Sequence, residues 1–359
     1  MTRARSAAVV LLAPVIAIVC SLLVAGGILA LAGANPGTVL GDALAYGLRP
    51  QTLVAIVNKA IPYYLAGIAA AVGFHLRLFN IGIDGQYRLA AFVAAVIGAA
   101  VALPAPVHVA LIVAVSMVVG SGWAAIAGLL YVRRGVNVVI STIMLNAIAS
   151  GIIAWLLSPV RLAQQAAGSN NITTATIPES GWIPAIVTPA GAVNGLLILA
   201  ALVGIGYWLV LNRTTLGFEV RAMGLSERAA RVSGIRGPRL ALLTMAASGA
   251  IAGLVGLPQL LGSSHHFGLD FPAGLAFTGL SVAILGRNHP IGVAIGAFVW
   301  AFLERSAQVL DLAGVSKEVV TILQAVIVLS IVVAYELVRR IRARRERRYV
   351  ARAVEGALA

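Results

Sequence analysis

Apolar runs of about twenty residues return along the whole chain, and no other feature constrains its fold as strongly. A helix rises about 1.5 Å per residue, so such a run is long enough to cross a hydrocarbon core of about 30 Å. Of the 359 residues, 60% are hydrophobic and 11% charged, and the mean hydropathy is +0.98. A soluble domain carries far more charge, so the chain reads as an all-α polytopic membrane protein. Its net charge of +14 would suggest nucleic acid in a soluble chain. Here the arginines fall in short loops and in the tail, where they set orientation and meet anionic headgroups. The single Cys20 lies in the first apolar run, which excludes a disulfide framework and a cysteine metal site. No GxxxxGK[ST] stretch is present, so ATP, if it drives this protein, binds another chain.

Taken in order, the runs predict about ten spans: Ala7–Ala32, Leu53–Val72, Leu89–Leu103, Val107–Val132, Val136–Leu157, Gly195–Leu211, Ala241–Gly262, Leu275–Leu285, Ile291–Leu310 and Val319–Val338. Ala30-Leu31-Ala32 faintly resembles a signal-peptidase site, but the run before it is longer than a signal sequence uses, so the first span is read as retained. Arg3 and Arg5 precede that span, Arg133 and Arg134 follow the fourth, and eight arginines between Arg339 and Arg352 follow the last. This pattern places both termini in the cytoplasm, in a plasma (inner) membrane. The chain is one transmembrane domain, 1–359, with a first half at about 7–158, an outer loop at 159–194, a second half at about 195–338 and a basic tail at 339–359. Five spans per half is an odd number, so the halves are inverted. GIDGQYRLAAFVAAVIG (82–98) resembles GLDFPAGLAFTGLSVAILG (268–286), each with Gly-apolar-Asp before a small apolar helix. Interrupted segments at matching places point to a transport pathway. Asp84 and Asp270 are therefore expected in pseudo-symmetric places on opposite sides of the membrane.

Two stretches carry further content. GFHLRLFNIGIDGQYRLAAF (73–92) interrupts apolar sequence with three glycines and with Asn80, Asp84 and Gln86. Irregular backbone at membrane depth is tolerated only where protein or a cavity covers it, and an ionisable group there is a functional candidate. The alternative is a cytoplasmic loop, which Arg77 and Arg88 support. Asn58 sits in the second span, whose outer half is expected to be irregular at Pro62, and Asn137 and Asn146 belong to the fifth. Thr142 and Asn146 share a helix face and suit interhelical hydrogen bonding. LGFEVRAMGLSERAARVSGIRGPRL (216–240) is the longest polar interruption. Ser226 is a good N-cap, Glu227 an acid at the positive helix start and Gly234 a left-handed terminator, with Arg228, Ala229, Ala230 and Arg231 between them. So short a helix cannot bury much of itself and is expected to dock on something. The outer loop reads as plain loop. Adjacent His265 and His266 are a weak metal signal and read as loop histidines.

RAMGLSERAARVSGI resembles the cytoplasmic coupling loop of ABC-importer permeases in the group that carries simple sugars, nucleosides and branched-chain amino acids. FNIGIDGQ resembles the FNIG-(acid)-GQ motif of the nucleoside-type branch, and LAFTGLSVAILGRNHPIG resembles a further family signature. The three occur in the family's order. The resemblance implies a type II ABC importer-like fold and a pathway formed with a second permease, identical or related. It also implies an ABC ATPase subunit, itself holding the ATP and Mg, that docks at Ser226–Gly234, and an extracytoplasmic solute-binding protein. This chain would then hold no cofactor or metal and do no bond chemistry. The neutral polar groups Asn58, Asn80, Gln86, Asn137 and Asn146 suit a neutral cargo, Phe79 could stack on it, and FNIGIDGQ favours a nucleoside over a pentose. Two other classes were weighed. A proton- or sodium-coupled carrier would use Asp84, Asp270 and Glu304. A membrane enzyme would need His265, His266, Asp270 and His289 together, although His289 is expected at the opposite face.

Overall fold

The computed structural model describes residues 35–165 and 171–312, with isolated positions between 23 and 33 and between 322 and 340. The expected first and tenth spans, Cys20, Asn170 and the basic tail lie outside the residues so described or are only touched by them. Two compact units divide the chain, one from Pro50 to Ala301 and one joining the residues on either side of it.

In the smaller unit, α1 (Pro36–Gly47) lies in the stretch between the first two expected spans. Its start is encoded locally: Asn35 caps it by accepting from the Gly37 amide at 3.0 Å, and Pro36 fills the first helical position. The Ser306 hydroxyl donates to the Ala43 carbonyl at 3.3 Å, and the Phe302 ring lies against Gly47.

The larger unit is built of helices, most of them long and apolar. They are α2 (Pro50–Phe74), α3 (Ile83–Ala100), α4 (Ala105–Arg134), α5 (Val138–Leu156), α6 (Leu196–Arg213), α7 (Thr215–Leu225), α8 (Glu227–Val232), α9 (Gly237–Ser264), α10 (Leu275–Leu285) and the first part of α11 (Pro290–Leu312). Five of these, α2, α4, α5, α6 and α9, are long and apolar enough to cross a membrane. α2 runs straight through Pro62, so the expected irregular outer half is absent. The expected eighth span coincides with α10 residue for residue. Its eleven residues rise only about 16 Å, roughly half a hydrocarbon core, so α10 is a half-helix and not a span.

Close helix contact comes from small residues. α4 and α9 meet at Gly120, Gly249 and Gly253. A Cβ on Gly253 would collide with the Ser116 carbonyl, and one on Gly249 with Gly120 and Ala124. Helix ends repeat one device. The amides of Leu78, Ile235 and Asn288 reach back to the carbonyls of Gly73, Ala230 and Ala283, closing Schellman turns on α2, α8 and α10. The left-handed residue is Gly234 in one case, but Arg77 (φ 58°) and Arg287 (φ 54°) in the others.

The described parts of the outer loop contain two short hairpin pairings where the sequence suggested plain loop. β1 (Gln164–Gln165) pairs antiparallel with β2 (Ile172–Thr173), and β3 (Ile186–Thr188) with β4 (Gly191–Val193) across a tight turn. Buried His108 pins the loop, bonding the Gly98 carbonyl at 2.9 Å and the Ser180 hydroxyl at 2.8 Å. Trp182 donates to the Ile177 carbonyl and stacks on His265 at 3.9 Å. Burial, with His266 beside it, lowers His265 from the ordinary histidine pKa.

Candidate functional site

The chain between α2 and α3 breaks over residues 75–82. The break is an ordered polar knot at the side-chain level. Asn80, fully buried, donates to the Gln86 side-chain oxygen at 3.0 Å and to the Ser248 hydroxyl at 2.9 Å. Its own oxygen accepts from the Gly82 amide and from the Gln86 side chain, each at 3.0 Å. Ser248 passes its proton on to the Ala69 carbonyl at 2.6 Å. From the other side, Asn146 donates to the Ile81 carbonyl at 2.9 Å and accepts from the Gly85 amide at 2.8 Å. Side chains of three helices thus close around the break, Gln86 of α3, Asn146 of α5 and Ser248 of α9, as burial among apolar helices requires. Gly85 lets α3 touch α5, since a Cβ there would meet Asn146 and Ala149.

The knot changes the meaning of the polar candidates. Asn80 and Gln86 are buried and bonded to each other, and Asn146 is bonded to backbone. Asn58 ties the outer loop down by donating to the Ala192 carbonyl (2.9 Å) and accepting from the Asn194 amide (2.8 Å). Asn137 is the exposed N-cap of α5, accepting from the Val139 amide at 2.8 Å. Phe79 is half exposed and packs at 5.0 Å on Phe74. These six do not converge on one pocket. Replacing Asn80 by Ala leaves Gly82, Gln86 and Ser248 with unmet groups, so thermal unfolding in detergent should show a loss of about 3 kcal/mol. Asn137→Ala should cost only about 1 kcal/mol.

Asp84 occupies the first turn of α3, and its two oxygens accept from the amides of Gly274 (2.9 Å) and Ala276 (3.2 Å) at the start of α10. One carboxylate therefore faces two helix N-termini, where negative charge is favoured. Tyr87, one turn on, donates to the Pro272 carbonyl at 2.7 Å. Asp270 lies in an exposed turn just before α10. The expectation that the two acids take equivalent places on opposite sides fails: Asp84 reaches amides four and six residues beyond Asp270, and the two sit in unlike elements. Among the described residues no group of three His, Cys, Asp or Glu could hold a metal.

The second site is the link from α7 to α9. Ser226 caps α8, accepting from the Ala229 amide at 3.3 Å, and Gly234 (φ 84°) ends it. Glu227 and Arg231 form an i,i+4 ion pair. Within α8 only Ala230 is buried. Arg228, Ala229 and Arg231 are exposed, as are Leu225 (84%) and Val232 (85%). Beside α8 is a cleft of about 340 Å³ walled by Leu76, Arg77, Tyr131, Met223, Leu225 and Arg231. α7, absent from the sequence reading, seats this link: Gly224 abuts the His75 carbonyl, where a Cβ would not fit. From there a hydrogen-bonded chain runs on. Tyr207 donates to the Asn288 carbonyl at 2.7 Å, so its oxygen accepts from His75 Nε2 at 2.9 Å, which fixes the proton on that nitrogen. The α7 end, α6 and the turn after α10 are joined through these three residues. A larger apolar recess of about 720 Å³, between α2, α6 and α11, contains none of the candidate pathway residues.

Apolar spans, a half-helix, a buried polar break and an exposed linking helix define an integral membrane transport component. The family described as branched-chain amino acid transport system, permease component, matches residues 52–332, and the chain belongs to that family. It is a permease of an ABC transporter and not an enzyme. The guanosine ABC transporter permease protein NupP of Bacillus subtilis (strain 168) is 32% identical over 283 residues, covering 78% of this chain and 81% of that one. The nucleoside ABC transporter permease protein NupB of Lactococcus lactis subsp. cremoris (strain MG1363) is 30% identical, covering 90% and 91%. The glucose ABC transporter permease protein TsgB13 of Haloferax volcanii is 29% identical, covering 89% and 86%.

Proposed function

We propose that the chain is one of two permease subunits of an importer that carries a nucleoside across the plasma (inner) membrane. About ten helical crossings in two inverted five-helix halves, the eighth made by α10 together with the non-helical chain just before it, would leave both termini cytoplasmic. The observation that carries the proposal is α8: a helix capped at both ends, seated through one buried alanine, with Leu225 and Val232 exposed beside basic side chains. A face of this kind suits an ABC ATPase subunit, which would hold the ATP and Mg. A solute-binding protein would deliver cargo from outside. ATP-driven approach of two ATPase subunits would move α8 as a rigid body. The His75–Tyr207–Asn288 chain offers a route from α7 to the turn closing α10. Tyr207→Phe removes the donor to Asn288 and keeps the ring, so it should leave ATP hydrolysis near wild type while lowering uptake roughly tenfold.

The nucleoside reading is supported by the named cargoes of NupP and NupB. A sugar is the second reading, supported by TsgB13 and by the ribose import permease RbsC of Escherichia coli. Uptake of labelled guanosine, ribose and glucose by cells expressing the complete transporter tests both. Guanosine uptake that requires ATP is the expected result, and uptake of a sugar alone would overturn the nucleoside assignment.

A further inference from the structure

The sequence left Arg88 between two readings, an interrupted segment at membrane depth and a cytoplasmic loop, and the fold puts it on a helix. It lies in the second turn of α3, one turn beyond Asp84, against α5. Its Nη1 is 3.5 Å from the hydroxyl of Ser150, the thirteenth residue of α5, so the guanidinium sits about 18 Å along an apolar helix. That is its one hydrogen bond among the described residues, and its Nε is buried with no partner. The nearest candidate counter-charge, Asp84, turns both oxygens to the start of α10. A cation within apolar spans that lacks a matched acid is expensive and marks a functional site by default. Room exists beside it. Ala147, Gly151 and Ala154 form an exposed face of α5, and a Cβ on Gly151 would meet nothing within 4 Å.

We infer that Arg88, steadied by Ser150, is a cargo-binding residue that donates to an adjacent pair of acceptors on a neutral ring, as the 6-oxo and N7 atoms of an oxopurine present them. A guanidinium only donates, and its planar fork matches two in-plane acceptors better than scattered sugar hydroxyls do. Asn80, Gln86 and Asn146 act behind Arg88 as positioning residues, fixing the break from which α3 starts. The inference deepens the nucleoside reading and rests on it.

The test is uptake by cells expressing the complete transporter. Guanosine is the labelled probe, and 2-aminopurine riboside, which lacks the 6-oxo acceptor, is the competitor. Arg88→Gln and Arg88→Lys should each raise the guanosine concentration for half-maximal uptake roughly tenfold, lysine failing because it has no fork. In both variants 2-aminopurine riboside should compete as well as guanosine, a loss of preference that damaged folding alone would not produce. Wild-type half-saturation with unchanged preference in Arg88→Gln would overturn the assignment. If neither Arg88 variant accumulates, Ser150→Ala decides, with an expected shift of about threefold; no shift there overturns it. A wild-type transporter that takes up no nucleoside breaks the underlying reading, and that result is visible before any variant is made.

Discussion

Gly253→Leu should abolish folded protein. At this position α9 presses on α4 so closely that any side chain meets the Ser116 carbonyl, and Gly120 faces it from the other helix. Overpacking a core against movable side chains typically costs about 1–3 kcal/mol. Here the obstacle is backbone on a long helix, so relief requires α4 and α9 to separate. Separation would break the packing around Met245 and Ala127 that closes over Leu78 and Val138, so the cost should exceed about 3 kcal/mol. Gly122→Leu is the control. It lies on the same α4, is exposed, and a Cβ there meets nothing within 4 Å. Size-exclusion profiles in mild detergent should show a monodisperse peak for Gly122→Leu and aggregate for Gly253→Leu. Equal profiles would mean that α4 and α9 are not packed as described.

The second large effect belongs to α8. Arg228→Glu combined with Val232→Asp should bring ATP-dependent uptake to background with the permease itself intact. Both side chains are exposed, and the buried anchor Ala230 is left alone. Thermal stability should therefore change by no more than about 0.5 kcal/mol, as for ordinary surface substitutions. The substitution reverses one charge and puts a carboxylate on the apolar patch that the partner would cover, and burying an unpaired charge there would be prohibitive. Retained uptake in this variant would separate α8 from coupling.

Local signals were legible and long-range ones were not. Ser226 and Gly234 announced α8 because caps and left-handed terminators are decided within a few residues. The limits of α5 and α10 followed from apolar runs, but the length of α10, and so its nature as a half-helix, was passed over in counting spans. Arg77 and Arg287 end helices in the left-handed region without being glycine, so the residue that turns the chain could not be picked out by type. Asn80 was found as a polar residue at membrane depth. Its partner Ser248 stands 168 positions away, which no local pattern reveals, so a satisfied knot was read as a set of free hydrogen-bonding groups. Arg88 was counted toward the alternative loop reading for a related reason: positive-inside reasoning treats an arginine near a span boundary as loop. The signal that could have corrected it is the i,i+4 pair Asp84 and Arg88 at the head of LAAFVAAVIG, which reads as one helix from Ile83. The outer hairpin β3–β4 was available in Thr188-Pro189-Ala190-Gly191, a turn sequence between two short apolar stretches.

Co-purification tests the account most directly. The protein is extracted in mild detergent from cells that also express its native partners, the associated chains are identified, and ATP hydrolysis is measured. The account predicts an ABC ATPase in stoichiometric amount, hydrolysis by the complex, and loss of that subunit in Arg228→Glu with Val232→Asp. A chain that purifies alone and moves solute into liposomes without ATP would contradict it and make an ion-coupled carrier the better description.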